Sequence, residues 1–386
     1  MSLDAERAQP PFGGRAGQRV LAGVALASVL ALAACSGPGA SLPGPVSSAS
    51  AVAAAVPTTP SSAPQTLSET GSSLMAPLFS FWRPAYQSQF PQVTLRTATS
   101  SSGQGITSAA TGQVDIGASD AYLSSATLAK YTTLVNIPLA VAALMVIYHV
   151  PGIGPSTHLK LDGKVLAQIF SGQITTWSDP AIASLNPGAN LTDARIVLVH
   201  RDDVSGSTFL FTSYMNAQDP ADWGNSLIGT KVAWPEQRGE LGASGSSQIV
   251  SEVGSVSGSI GYVGVSYLDQ VTQAREGEAE LGNSSGNYLL PTASAIQAAL
   301  SSFANTPASE TISLVNGSGA QAYPIVNYEY AVVNTAQPSA TRAEDLRAFL
   351  SWAITGGTAQ LARVHFQPLP DSIVTLSVAQ IAKIEG

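Results

Sequence analysis

The feature that most restricts the fold of this chain is an alternation that starts near Leu67 and runs to the end. Strand-like stretches, "VTLRTAT" (93–99), "AALMVIYHV" (142–150), "RIVLVH" (195–200), "SIGYVGV" (259–265) and "PIVNYEYAVV" (324–333), are separated by helical ones. That order of periods belongs to an α/β protein. In "TRAEDLRAFLSWAI", Thr341 and Glu344 offer a capping box, and Leu346, Phe349, Leu350, Ala353 and Ile354 share one face. "TASAIQAALSSFA" (292–304) reads as a second helix. "SLMAPLFSFWRPAY" (73–86) has helical spacing too, but Pro84 is expected to kink or end it. No internal repeat is visible. At 386 residues the chain can fill two domains or one large one.

The N-terminal 66 residues read differently. Arg7, Arg15 and Arg19 precede "VLAGVALASVLALAAC", an apolar run too short and too alanine-rich for a membrane span. It ends at Cys35, the only cysteine, so no intrachain disulfide can form. Residues 1–34 are expected to be a lipoprotein signal peptide, with Cys35 as the acylated new N-terminus. The protein would then be extracytoplasmic and anchored to the cell membrane through that residue. Stable anchoring by lipid needs more than one acyl chain or a second signal. Residues 35–66 hold no charge and hardly any large side chain, the composition of a disordered tether.

Charged residues make up only 11% of the chain, against about 25% in ordinary soluble domains. The net charge of −8 and the lack of any Lys/Arg run argue against a nucleic-acid partner. That frugality with charge suits an extracytoplasmic protein that recognises ligands through hydroxyls and main-chain amides, and equally a genome-wide compositional bias. Three segments share a Ser/Gly turn followed by a helical start: "ETGSSLMAPLF" (69–79), "TSSSGQGITSAA" (99–110) and "DDVSGSTFLF" (202–211). A helix N-terminus exposes unpaired N–H groups and partial positive charge, so each turn can seat an anion. Serine and glycine also serve simply as helix caps. "VDIGASDAYLS" (114–124) adds Asp120 at a strand-to-loop edge.

These segments resemble the phosphate-binding proteins of bacterial ABC-type phosphate importers, close to their lipid-anchored branch. The resemblance spans residue 67 to the C-terminus. It is carried by "TGSSLMAPLF", "SSGQGI", "VDIGASDAYLS", "LDGKVLAQIFSGQITTWSDPAIASLNPG", "HRDDVSGSTFLFTSYM", "GSIGYVGVSYLDQ", "GNSSGNYLLP" and "YPIVNYEYAVV". It implies a two-lobed, type II periplasmic-binding-protein-like α/β fold with the ligand cleft between lobes. Lobe 1 would be 67–146 plus 325–386, and lobe 2 would be 147–324. The implied partners are inorganic phosphate, the importer's permease subunits and, through the lipid, the membrane. The implied phosphate ligands are Ser72, Ser73, the amide of Leu74, Ser102 (with Ser101 as the alternative register), Asp120, Arg201, Ser205, Gly206 and Ser207. Asp203 would support Arg201. Two positions depart from the family pattern. Val204 stands where glycine is usual and would be strained at positive φ, and Leu74 replaces an aromatic residue.

The chemistry of such a set is selective. Amides, hydroxyls and a forked guanidinium satisfy acceptor oxygens, whereas an ionised carboxylate accepts only a ligand O–H. Sulfate would set like charge against Asp120, a cost of about 4 kcal/mol at 4 Å and an effective dielectric of 20. Asp203, paired with Arg201, would fix the guanidinium plane. The alternatives are a binder of sulfate or molybdate, and a surface adhesin or signalling lipoprotein on the same fold. An enzyme is not expected. No G-x-S-x-G elbow holds Ser205 or Ser207, no Walker motif occurs, and His149, His158, His200 and His365 lack metal-ligand spacing. No cofactor or metal is called for.

Overall fold

The computed structural model describes residues 59–234, 239–303 and 305–386. The expected signal peptide, Cys35 and the tether up to residue 58 lie outside them. Structure begins earlier than Leu67. Pro60 is buried, and Ser61 N–H donates to Asp345 Oδ1 at 2.7 Å while its carbonyl accepts from Gln92 Nε2 at 3.1 Å. Residues 59–66 thus belong to the folded body. A small polar residue docks without a hydrophobic side chain when a buried carboxylate needs a donor.

The strands are β1 (Gln65–Gly71), β2 (Val93–Thr99), β3 (Ile116–Ser119), β4 (Leu134–His149), β5 (Lys160–Leu161) and β6 (Val197–Arg201). They continue with β7 (Leu241–Ala243), β8 (Ser259–Gly264), β9 (Gly277–Glu278), β10 (Glu280–Gly282), β11 (Tyr288–Leu289) and β12 (Val326–Asn334). The main sheet runs β2-β1-β3-β12-β4-β8-β6-β7, with β9 also paired to β4. Along this path β2, β1 and β3 are parallel and β12 closes them antiparallel; β7, β6 and β8 are parallel and β4 closes them antiparallel. The two halves therefore repeat one topology that no sequence repeat announces. This is the two-lobed α/β architecture. β5, β10 and β11 form a small separate sheet.

β4 belongs to both halves. Leu134–Ala143 pairs with β12, and Leu144–His149 pairs with β8. Its sixteen residues are almost all buried, as the run of Ala, Leu, Val and Ile demands of a strand covered on both faces. Pro138 lies inside it and has no N–H for the ladder. The register there slips by one residue opposite Glu329 and Tyr330, a bulge that accommodates the proline.

The helices follow the sequence with three adjustments. The helix over Ala340–Ala353 is capped by Ser339, whose hydroxyl accepts from Arg342 N–H at 3.3 Å, rather than by a Thr341/Glu344 box. The extended backbone at Ser339 suits a cap, while Thr341 and Glu344 already lie inside the helix. The 292–304 helix is capped by Thr292 and ends at Leu300. Pro84 does not end its helix, which spans Ala76–Gln89. Both Pro84 and Ser80, whose carbonyl loses its i+4 donor, are exposed to water. On the buried side of that helix Trp82 and Tyr86 pack edge-on against Phe349 and Trp352 of the Ala340–Ala353 helix, and Phe79 stacks on Phe349.

Candidate functional site

Parallel strands of an α/β sheet place their carboxyl ends, and the turns that follow, on one edge. Here the edges of both halves meet. From the first half come Ser72–Leu74 after β1, the turn before the helix Ser102–Ala110, and Asp120 directly after β3. From the second come Arg201 at the end of β6 and the start of the helix Gly206–Gln218. Both helices begin at a serine cap: Ser101 accepts from Gln104 N–H at 3.3 Å, and Ser205 from Thr208 N–H at 3.4 Å. Gly71 makes the first turn possible. Its φ is +148°, and a β-carbon there would lie 2.1 Å from the Ala118 carbonyl oxygen.

Asp120 is the hub. It is 2% exposed; its Oδ1 accepts from Ser72 Oγ, and its Oδ2 from Ser207 Oγ at 2.7 Å. Ser102 Oγ accepts from the Asp120 N–H at 3.3 Å. Burial raises the Asp120 pKa, opposed by the hydrogen bonds from Ser72 and Ser207 and by the charge of Arg201. Arg201 is 4% exposed and forked onto Asp203, Nε to Oδ1 at 2.6 Å and Nη2 to Oδ2 at 2.5 Å. That pairing uses two of five guanidinium donors and fixes the plane of the rest.

The walls touch. Gly103 N–H donates to the Val204 carbonyl at 2.9 Å, Ser246 N–H to Ser73 Oγ at 3.0 Å, Ser266 Oγ to the Leu74 carbonyl at 2.7 Å and Tyr267 OH to the Ser73 carbonyl at 3.0 Å. Gly206 is pressed against the opposite wall: a β-carbon there would stand 2.8 Å from Asp120 Cβ, Ala121 N and Ser102 Oγ. Beside Asp203 a hollow of about 380 Å³, lined by Thr99, Ser100, Ser101, Gln104, Ser244 and Gly245, opens to solvent.

The structure thus brings Ser72, Ser102, Asp120, Gly206 and Ser207 together, with Arg201 close enough for its charge to act on Asp120. Ser101 spends its hydroxyl on its helix, and so does Ser205. Ser73 Oγ turns to Ser246, and the Leu74 N–H donates to Ser72 Oγ at 3.1 Å. Val204 escapes the expected strain, because it is not among the residues at positive φ, and its methyl group lies over Gly103. Ser246, Tyr267 and Glu329 went unread. "ASGSSQIV" (243–250) is a fourth Ser/Gly turn opening a helix, and it carries the first of them.

Three of the four histidines are engaged elsewhere. His158 Nδ1 pairs with the Glu278 carbonyl, His200 stacks on Trp234, and His365 meets Asp269 at 3.1 Å. Among the described residues no group of three or more His, Cys, Asp or Glu could hold a metal ion, and no helix is long and apolar enough to cross a membrane.

Comparison with known proteins gives a consistent picture. Residues 57–356 match the family described as a PBP superfamily domain. The chain is 33% identical over 323 residues to the phosphate-binding protein PstS of Xylella fastidiosa strain Temecula1, covering 82% of this chain and 86% of that protein. It is 32% identical to the phosphate-binding protein PstS of Pasteurella multocida, covering 82% and 90%. The fold is similar to the crystal structure of a phosphate-binding protein from Stenotrophomonas maltophilia, with a TM-score of 0.63 at 22% identity over 80% of this chain and 92% of that one.

Proposed function

The chain belongs to the PBP superfamily and, within it, to the phosphate-binding proteins PstS, and on that premise we propose that it captures inorganic phosphate between its lobes and delivers it to an ABC-type importer. The observation that carries this reading is Asp120: a carboxylate buried between serine-capped helix starts from opposite lobes, with a buried arginine beside it. Helix starts and arginine favour an anion, whereas a carboxylate among them repels any anion that brings no proton. Phosphate meets both conditions.

In this reading the oxygens of phosphate take donors from Ser72, Ser73, the Leu74 amide, Ser102, Arg201, Ser205, the Gly206 amide and Ser207, and Asp120 accepts the ligand's O–H. Ser102 is favoured over Ser101 because its Oγ accepts from the Asp120 N–H and so lies at the hub. When the ligand enters, the hydroxyls now turned to Asp120 exchange one acceptor for another, at little net cost. Asp203 holds the Arg201 fork. Lobe 1 is assigned 67–146 plus 325–386, extended by the docked residues 59–66, and lobe 2 is assigned 147–324. The change of β4 partner between Ala143 and Leu144 supports that division.

The reading includes no turnover, in keeping with relatives that are named as binding proteins. The protein is placed outside the cytoplasm, as its basic and apolar N-terminal run and its PstS relatives support, and it is held to the membrane by acylated Cys35, for which the "LAAC" run speaks. Cys35→Ala should release the mature protein from the membrane fraction; retention there would remove acylation as the anchor. Isothermal titration tests the binding function. Phosphate and arsenate should bind and sulfate should not; heat with sulfate and none with phosphate would falsify it.

A further inference from the structure

One buried acid in the site region has no role so far. Glu329 sits in mid-β12, 0% exposed, and neither carboxyl oxygen has a hydrogen-bond partner of ordinary geometry. A bare carboxylate is not left so in a dry interior without reason.

The register says what it faces. Tyr330 pairs with Ser119 across the antiparallel β12–β3 ladder, so one step further Glu329 comes opposite Asp120. Side chains opposed in this way have β-carbons about 4.5–5.5 Å apart. Asn327, two residues away on the same face of β12, donates its amide to the Asp120 carbonyl oxygen. The bulge at the Glu329/Tyr330 step carries its extra residue, Leu139, on β4, so β12 itself runs without interruption past Asp120. β12 therefore backs Asp120 from the side away from Ser72 and Ser207.

Two buried carboxyls at this spacing share one charge, because both cannot ionise. The charge belongs on Asp120, which has Ser72, Ser207 and Arg201 to stabilise it. Burial, and then the charge of Asp120, hold Glu329 well above the usual carboxylate range. The other titratable groups beside the pair are Tyr267, near Asp120, and Tyr330, near Glu329, both phenols pushed upward by burial and then by neighbouring acids. We propose that Glu329 is a specificity-setting positioning residue: its carboxyl keeps the proton of the pair and offers it to Asp120, so that Asp120 stays an acceptor and does not become a donor to proton-free anions. This rests on the phosphate reading above. No bond to the ligand is involved; only the place of one proton is at issue.

The experiment compares the full mature chain with Glu329→Gln, which keeps a donor of the same shape, and Glu329→Leu, which removes it. Phosphate and sulfate affinities are measured by titration calorimetry between about pH 5 and pH 8. The Gln variant should stay within about threefold of wild type and keep its selectivity across that range. The Leu variant should lose selectivity by about tenfold at the acid end, where an unsupported Asp120 takes up a proton and can donate to sulfate. Equal behaviour of Gln and Leu, or a Leu profile matching wild type, overturns the proposal. Should the Leu variant not fold, the infrared difference between ligand-free wild type and Glu329→Gln decides. A protonated-acid carbonyl band lost in the variant supports the proposal, and loss of a carboxylate band instead refutes it. Absence of phosphate binding by the wild-type chain would overturn the phosphate reading and leave the infrared result to stand separately.

Discussion

A β-carbon at Gly206 would crowd atoms of the facing lobe at 2.8 Å, two of them (Asp120 Cβ and Ser102 Oγ) in the proposed ligand-binding set. The backbone of Gly206 needs no unusual φ, so alanine fits the helix start but not the approach of the other lobe. Gly206→Ala should therefore weaken phosphate binding by about a hundredfold, about 2.7 kcal/mol, while the melting temperature of the ligand-free protein stays put. Calorimetry and a thermal melt separate the two effects. An unchanged affinity would mean that the walls do not close as tightly as the distances require. At Asp120 the prediction concerns discrimination. Asp120→Asn replaces an obligate acceptor with a group that can also donate, so sulfate should gain more than phosphate loses. Equal losses for both anions in competition titrations would count against the carboxylate as selector.

Among the elements, the helix Ala76–Gln89 shows how context overrides a local rule. Pro84 removes a hydrogen bond, but it does so on the wet face, while Phe79, Trp82 and Tyr86 hold the opposite face in the core. Pro84→Ala should restore the missing bond and raise stability by about 1–2 kcal/mol, part of the helix-propensity gain being offset by a freer unfolded chain. Chemical denaturation would show it as a higher midpoint with an unchanged slope; a lower midpoint would mean that the proline shapes the packing. The same balance decides what the sequence discloses. Strands β2, β6 and β8 were legible to within two residues at either end because alternation and turn residues bound them. β4 was legible only in its second half, since Pro138 disguised Leu134–Val141 as something other than strand. Ser72, Ser102, Asp120 and Ser207 were visible as turn residues, and their convergence came from resemblance. Glu329 stayed hidden inside "YPIVNYEYAVV", because only strand pairing reveals what lies across from a buried acid.

At the scale of the molecule, several acids are buried without an ion pair to hold their charge. Burial lifts Glu69, Glu276 and Glu310 to about 8 and Glu278 to about 7. Each raised carboxyl binds its proton in the folded chain at pH values where the unfolded chain, near 4.5, has released it. Their contribution is thus full below about 4.5 and is lost as pH rises to about 8. Thermal melts should show the protein less stable at pH 8.5 than at pH 5, by a few kcal/mol in all, with Glu276→Gln flattening part of the slope. A melting temperature that climbs with pH would contradict the assignment. One more property follows from β4, whose single backbone is hydrogen-bonded into both lobes. A shared strand of this kind works as a leaf spring and not as a loose pin: parting the lobes must flex or twist continuous ladder, and the recoil draws them back. A transporter that pries the jaws apart would have to do mechanical work against that spring.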